Sequence, residues 1–194
     1  MKRKQYKGKY ERKLNKINKI KKRSDYRWII KIVILAFFIT LIFSSLAELI
    51  LPKFNIILGA IIIAFFIILG VIFDMIGIAV ASASESPFHS MASKKIYGAK
   101  TGILMLKETE KVTSFCNDVI GDICNIMSGG AGIVMANKIA LNYQLNLIGI
   151  TLLITSLIAS FTIGGKAMGK SLAVNKSELI VFKVAKMITI FYKK

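Results

Sequence analysis

Residues 56–73 read IILGAIIIAFFIILGVIF, an unbroken run of 18 residues without a charge. A helix rises about 1.5 Å per residue, so about 20 apolar residues cross the ~30 Å hydrocarbon core of a bilayer. Leu145–Ile163 is a second such run, with 19 uncharged residues. Hydrophobic residues make up 55% of the 194-residue chain, which exceeds the usual content of a soluble domain. The two runs therefore predict transmembrane helices.

Two less uniform segments complete the set of predicted spans. Ile29–Leu51 is apolar except for Lys31 and Glu48, which lie near its two ends, where a long charged side chain reaches the interface. Val112–Ala136 carries two aspartates and two asparagines, which a bilayer tolerates only where they face protein or water. The sequence thus predicts an all-α membrane protein with four transmembrane helices and additional juxtamembrane or interfacial helices.

Basic residues predict the orientation of these spans. Residues 1–28 hold 13 Lys/Arg and two acidic residues, a net of +11 (13 − 2), whereas the connection Pro52–Asn55 holds only Lys53. Because Lys/Arg-rich flanks stay inside, we expect a multi-pass protein of the cell membrane with both termini cytoplasmic. The tail suits the lipid bilayer as its partner. Nucleic acid is disfavoured, since basic residues beside a span already set topology.

The chain is expected to divide into three parts: a basic cytoplasmic tail at residues 1–27, a four-span transmembrane domain at 28–165, and a cytoplasmic interfacial helix with a basic end at 166–194. Juxtamembrane helices are predicted at about 86–108, as Phe88–Tyr97 and Ala99–Lys107, because apolar and lysine positions alternate there. Ser177 is expected to open the last helix.

Polar groups inside the spans are the candidate functional residues. They form two stripes at helical spacing, Asp74, Ser82 and Glu85 on the second span and Asp118, Asp122 and Asn125 on the third. On the third span, Asn117, Gly121 and Asn125 form a second line that overlaps the stripe. Carboxylates at one depth with no basic partner repel each other unless protonated or bound to a cation, so we expect the stripes to face each other around an ion. The alternative is that these groups only bond helix to helix.

The chemistry of these groups indicates which class of ion they would bind. Carboxylate, amide and hydroxyl oxygens suit a hard cation such as Mg²⁺ or Na⁺ better than a soft transition metal. Glycines that allow close backbone approach or a broken helix occur at Gly129, Gly130, Gly132, Gly164 and Gly165. With no nucleophile–base pair, His/Cys metal cluster or phosphate-cradling loop, we expect a protein that is not an enzyme.

The order of motifs from Gly77 onward resembles a known family. Residues 81–86 (ASASES) match a Ser-x-x-Glu motif through Ser82 and Glu85. Residues 120–126 (IGDICNI) resemble a helix that bears Gly-Asn and a later Asn, and residues 165–170 (GKAMGK) stand in the place of Gly-Glu-x-x-Pro-Lys. Over about residues 77–190 the chain is similar to the membrane domain of the CorB/CorC and cyclin-M (CNNM) magnesium transporters.

The chain also departs from that family pattern. Asp122 stands where the first Asn is expected, and Lys166 and Gly169 replace the Glu and the Pro of the last motif. The resemblance implies a homodimer. The family usually continues into a nucleotide-binding CBS pair where this chain ends, so we expect such regulation to require a separate regulatory subunit.

Two functions follow from the sequence as hypotheses. The first is a divalent cation transporter or transporter-like subunit, with Mg²⁺ as the bound or transported ion, in which the two polar stripes line the pathway and Asp74 tunes it. The second is a non-transporting scaffold that binds partners or anionic lipid through its basic tail and juxtamembrane helices. Lys166 favours the scaffold, because a fixed positive charge near the site lowers cation occupancy.

Overall fold

The computed structural model of the protein describes residues 30–192, which are helical with short connections and contain no strand. Four helical segments of this part are long and apolar enough to cross a membrane: Ile30–Lys53 (α1), Ile56–Ser82 (α2), Thr109–Tyr143, and Leu147–Asn175 (α7). The predicted all-α membrane fold with four spans is confirmed. The predicted basic tail, residues 1–27, and the last two lysines lie outside the described residues.

The chain divides into two compact units, Met1–Ile39 and Thr40–Lys194. The described part of the first unit is the beginning of α1. In the second unit, α1 ends in a 3₁₀ turn, Leu51–Lys53, with Pro52 in a position that needs no backbone donor. Leu51 is buried in an apolar cluster with Met135 and Ile158, so the end of α1 is fixed to the bundle.

The third span is not a uniform α-helix. It consists of α5 (Thr109–Ser114), a π-helical segment (Phe115–Gly121) and α6 (Asp122–Tyr143). The sequence predicts a span at Val112–Ala136, but the helix is longer at both ends. A π-helix has more residues per turn than the 3.6 of an α-helix, so side chains before and after Phe115–Gly121 follow a different register from the one expected.

The interior of the bundle is formed by α2, α6 and α7, and glycines permit its close contacts. Gly59 lies against Met135 and Gly132 against Ile158, in each case without room for a Cβ atom. By contrast, Gly129, Gly130 and Gly164 have no neighbouring group within 4 Å. Helices α6 and α7 are continuous through all the predicted glycine positions, so close approach rather than a broken helix accounts for the ones that are packed.

Three short helices cover one end of the bundle, which we name the capped end: α3 (Ser86–Ser93), α4 (Ala99–Lys107) and α8 (Ser177–Tyr192). Helices α4 and α8 begin as predicted, whereas α3 is shorter than the predicted Phe88–Tyr97. Helix α7 continues to Asn175, beyond the expected end of the transmembrane domain at residue 165. Phe88 is fully buried at this end, with its ring over Gly102. The capped end therefore has a packed apolar core of its own.

Candidate functional site

An ion pair joins α2 to α7 near the capped end. Nζ of Lys166 lies 2.8 Å from Oδ2 of Asp74, and the two side chains are 27% and 13% exposed. The expectation that the acids of the spans lack a basic partner is therefore wrong for Asp74. The pair forms because Gly165 and Gly169 bring α7 close to Val71 and Met75 of α2, on either side of Asp74.

Helix lengths place this pair at the border of the hydrocarbon rather than in its middle. Asp74 lies 18 residues after the start of α2, about 27 Å along the helix, and Lys166 lies 19 residues after the start of α7, about 29 Å. The hydrocarbon core is ~30 Å thick, so a bundle that starts at one boundary puts both groups near the other. Partial exposure there lowers the cost of keeping two charges in the span.

The π-helical segment contacts α2 beside the ion pair. Oδ1 of Asn117 lies against Gly77, where a Cβ atom would have no room, and the hydroxyl of Thr113 donates to the carbonyl of Gly77 at 3.3 Å. Gly121 faces Asp74, and a Cβ added there would be 2.8 Å from its Oδ1. Two glycines on opposite helices thus let a carboxylate and an amide reach into the same interface.

Oδ1 of Asn117 has an unusual environment. The atom is buried, and within residues 30–192 no donor reaches it. A buried carbonyl oxygen without a hydrogen bond costs about 1–3 kcal/mol, so it is a ready acceptor for a cation or a water molecule. The amide therefore adds an unused oxygen ligand at Gly77, about one turn along α2 from Asp74.

Of the two overlapping polar lines predicted on the third span, the one through Asn117, Gly121 and Asn125 meets α2. The contacts come from Asn117, Gly121 and Cys124, whose Cβ would be 3.1 Å from a Cβ at Gly70. Asp118 and Asp122 are exposed instead, that is, not covered by the rest of the chain. The predicted meeting of the Asp74 stripe with Asp118 and Asp122 is therefore not found, because the close contacts at Gly70, Gly77 and Gly121 turn the other line towards α2.

Of the remaining predicted site residues, one lies at the α2 interface and two lie at the surface. Asn125 is half-buried, and its Oδ1 would be 3.8 Å from a Cβ at Gly70, so it belongs to the α2 interface. Ser82 and Glu85 lie beyond the ion pair at the end of α2 and are exposed. Oε2 of Glu85 is 3.4 Å from Nε2 of His89, one turn later at the start of α3. The structure therefore brings Asp74 and Asn125 to one interface and leaves Ser82 and Glu85 at the surface.

These positions define what the site offers chemically. No group of three or more His, Cys, Asp or Glu side chains within residues 30–192 is arranged to hold a metal ion. What the interface provides is one carboxylate, two amide side chains, one thiol and one ammonium. The ammonium of Lys166 stands beside the carboxylate at the place that a bound cation would take.

Two functional features were missed by reasoning from sequence. The pairing of Lys166 with Asp74 was not predicted, although the two residues lie at nearly equal distances from the first residues of their helices, and that depth was a usable signal. Lys138 on α6 donates from Nζ to the carbonyl of Pro52 at 2.7 Å and to that of Phe54, which fixes the connection between α1 and α2. Only the tertiary structure identifies that contact.

Comparison of the chain with models of known protein families, with curated proteins and with solved structures finds no match. The resemblance to the CorB/CorC and cyclin-M group stays a prediction from the motifs, as do the homodimer, the separate regulatory subunit and the cytoplasmic termini.

Proposed function

We propose that the protein is a transporter, or a transporter-like subunit, for a hard cation, and that Lys166 acts as a tethered cation in its ion site. The observation that carries this proposal is the 2.8 Å pair between Lys166 and Asp74, with the unbonded amide oxygen of Asn117 about one turn away along α2. An ammonium and a metal cation compete for the same carboxylate, so binding of the ion would release Lys166 and separate α7 from α2.

The oxygen groups at this interface support a hard cation as the substrate. Asp74, Asn117 and Asn125 all offer oxygen, whereas the buried thiol of Cys124 is a soft group at the same interface. Mg²⁺ keeps several of its waters when bound, so it needs only one or two carboxylates rather than a complete protein cage. Mg²⁺ is therefore the ion that we propose to test first, with Na⁺ as the alternative.

The experiment measures Mg²⁺ uptake into proteoliposomes that contain the full chain and an entrapped fluorescent indicator. Asp74→Asn removes the only carboxylate of the interface and should abolish uptake. Lys166→Met removes the competing ammonium and should raise the affinity for Mg²⁺. Lys170→Met is the matched control, because this lysine lies one turn further along α7 and is exposed; it should leave uptake unchanged. Uptake by the Asp74→Asn variant at the wild-type rate would sink the proposal.

A scaffold without transport is the second candidate, and the exposed aspartates favour it. Asp118 and Asp122 lie on the uncovered face of the third span, and the three ion pairs of the described residues include neither of them. Uncovered carboxylates at the border of the hydrocarbon suit a partner that brings a basic residue to the same depth. If the protein is a scaffold, the Asp74–Lys166 pair only stabilises the fold, and neither the wild type nor a variant of either residue transports an ion.

A further inference from the structure

Helices α4 and α8 run side by side, parallel and in register, at the capped end. Gly98 approaches the backbone of Lys186 so closely that a Cβ at this glycine would be 3.0 Å from its Cα. One turn later the hydroxyls of Thr101 and Thr189 are hydrogen-bonded at 2.7 Å. The positive φ of 90° at Gly98 and the lack of a side chain both permit this contact. The two helices therefore form one surface.

The outer side of α8 combines lysines with apolar side chains. Val181 and Ala185 are fully buried. Leu179 and Lys183, each two positions from Val181, therefore lie on the opposite, outer side of the helix. On that outer side Leu179, Met187 and Ile190 are 51%, 60% and 61% exposed. We name this surface the basic face, and define it by the exposed lysines Lys100 on α4 and Lys183 and Lys186 on α8 together with these three apolar residues.

The position of α8 along the bundle places the basic face at the level of lipid headgroups. Val181 and Ala185 pack in one core with Ala79 and Val80 of α2. Ala79 lies 23 residues after Ile56, about 35 Å along the helix at ~1.5 Å per residue. This is about 5 Å beyond the ~30 Å hydrocarbon core and within the layer of headgroups that surrounds it.

We propose that the basic face is a binding site for anionic membrane lipids. Exposed apolar side chains enter the acyl boundary, while lysines of the same face extend to the phosphates. No ion pair of the described residues involves Lys100, Lys183 or Lys186, so no carboxylate within residues 30–192 neutralises these ammonium groups. The inference is independent of the proposed transport function, since no residue of the basic face belongs to the ion site.

The test counts lipids bound to the purified full chain by native mass spectrometry, during titration with phosphatidylglycerol or phosphatidylcholine in neutral detergent. The wild type should prefer phosphatidylglycerol. Each lysine near an anionic surface contributes roughly a fivefold factor, so Lys183→Gln with Lys186→Gln should reduce that preference at least about tenfold. The charge-matched control is Lys53→Gln with Lys107→Gln, two exposed lysines outside the basic face, which should retain it.

Several outcomes would overturn the proposal. Equal losses in both double variants would mean that net charge alone attracts the lipid. Displacement of phosphatidylglycerol by free glycerol phosphate at a similar concentration would identify a soluble phosphate as the ligand. Should the α8 variant fail to fold, Lys100→Gln on α4 gives the same test with an expected loss of roughly fivefold, and an unchanged preference in that variant would reject the site.

Discussion

Nζ of Lys166 and Oδ2 of Asp74 lie 2.8 Å apart across the α2–α7 interface, with Lys166 in the place where a carboxylate was expected from the motif. The charge at this position is thus balanced within the chain. A buried pair is costly to form from two solvated ions, and more costly to leave half-formed. The pair lies at the centre of the candidate site. Because an unpaired charge there would be costly, the pair also stabilises the packing of α7 against α2.

Removal of one partner of this pair should destabilise the protein more than removal of both. We expect Asp74→Asn or Lys166→Met to lower the free energy of unfolding by up to about 3 kcal/mol, the lower end of the range for buried pairs, because Lys166 remains partly exposed. The double variant should recover most of that loss. Unfolding of the three variants in mixed detergent with sodium dodecyl sulfate measures the coupling, and strictly additive losses would argue against a direct ion pair.

Gly77→Ala should disturb the contact of α2 with the third span. Oδ1 of Asn117 occupies the position of the new Cβ, so the amide of Asn117 must turn away or the helices must move apart, at a cost of up to about 1–3 kcal/mol. The matched control is Gly130→Ala, since that glycine has no neighbour within 4 Å. In the control, alanine should be neutral or should stabilise the helix by up to about 1 kcal/mol. Equal unfolding midpoints for both variants would contradict the contact.

Thiol labelling distinguishes the two faces of the third span. The native thiols Cys116 and Cys124 are 6% and 3% exposed, so a membrane-permeant maleimide should label the folded wild type slowly. Asp122→Cys places a thiol on the uncovered face and should react at least about tenfold faster. Mass spectrometry of the time course gives both rates. If the new cysteine is protected as well as Cys124, then Asp122 faces the bundle as the sequence alone had suggested.

Lys138→Met should release the connection between α1 and α2. The ammonium donates to the carbonyls of Pro52 and Phe54, and a hydrogen bond from a charged donor contributes about 1.5–3 kcal/mol. We expect faster proteolysis in this connection and a lower unfolding midpoint, with partial recovery in Lys138→Arg. Asn137→Ala, at the exposed neighbouring position, is the control. A midpoint unchanged by Lys138→Met would show that the two bonds do not hold the connection.

The helical segments were predictable because each depends on local composition. Transfer of an apolar residue to hydrocarbon is favourable wherever it lies in the chain, so runs such as 56–73 can be recognised as spans from the sequence alone. The starts of α4 and α8 were predictable for a similar reason, since Gly98 and Ser177 are local signals for a helix end. The extension of α7 to Asn175 was not, because its last residues are held by packing with α2 and α8 rather than by hydropathy.

The polar residues of the candidate site could be predicted from sequence, but their arrangement could not. The sequence identified Asp74 and Asn125 as polar groups inside apolar spans, and both lie at the interface between α2 and the third span. On the third span the sequence offered two overlapping lines, one through Asp118 and Asp122 and one through Asn117 and Gly121, and helical spacing could not choose between them. The glycine contacts with α2 select the second line and leave Asp118 and Asp122 exposed.

The sequence by itself determined that this is a four-span helical membrane protein, because the free energy of burial in lipid is a property of each segment alone. Only the tertiary structure decided which charges meet. Asp74 and Lys166 lie on helices that are far apart in sequence, and their contact depends on the rotation and depth of both helices. Rotation and depth are set by glycine contacts and by side-chain packing across the bundle, and the hydropathy of a segment carries no information about either.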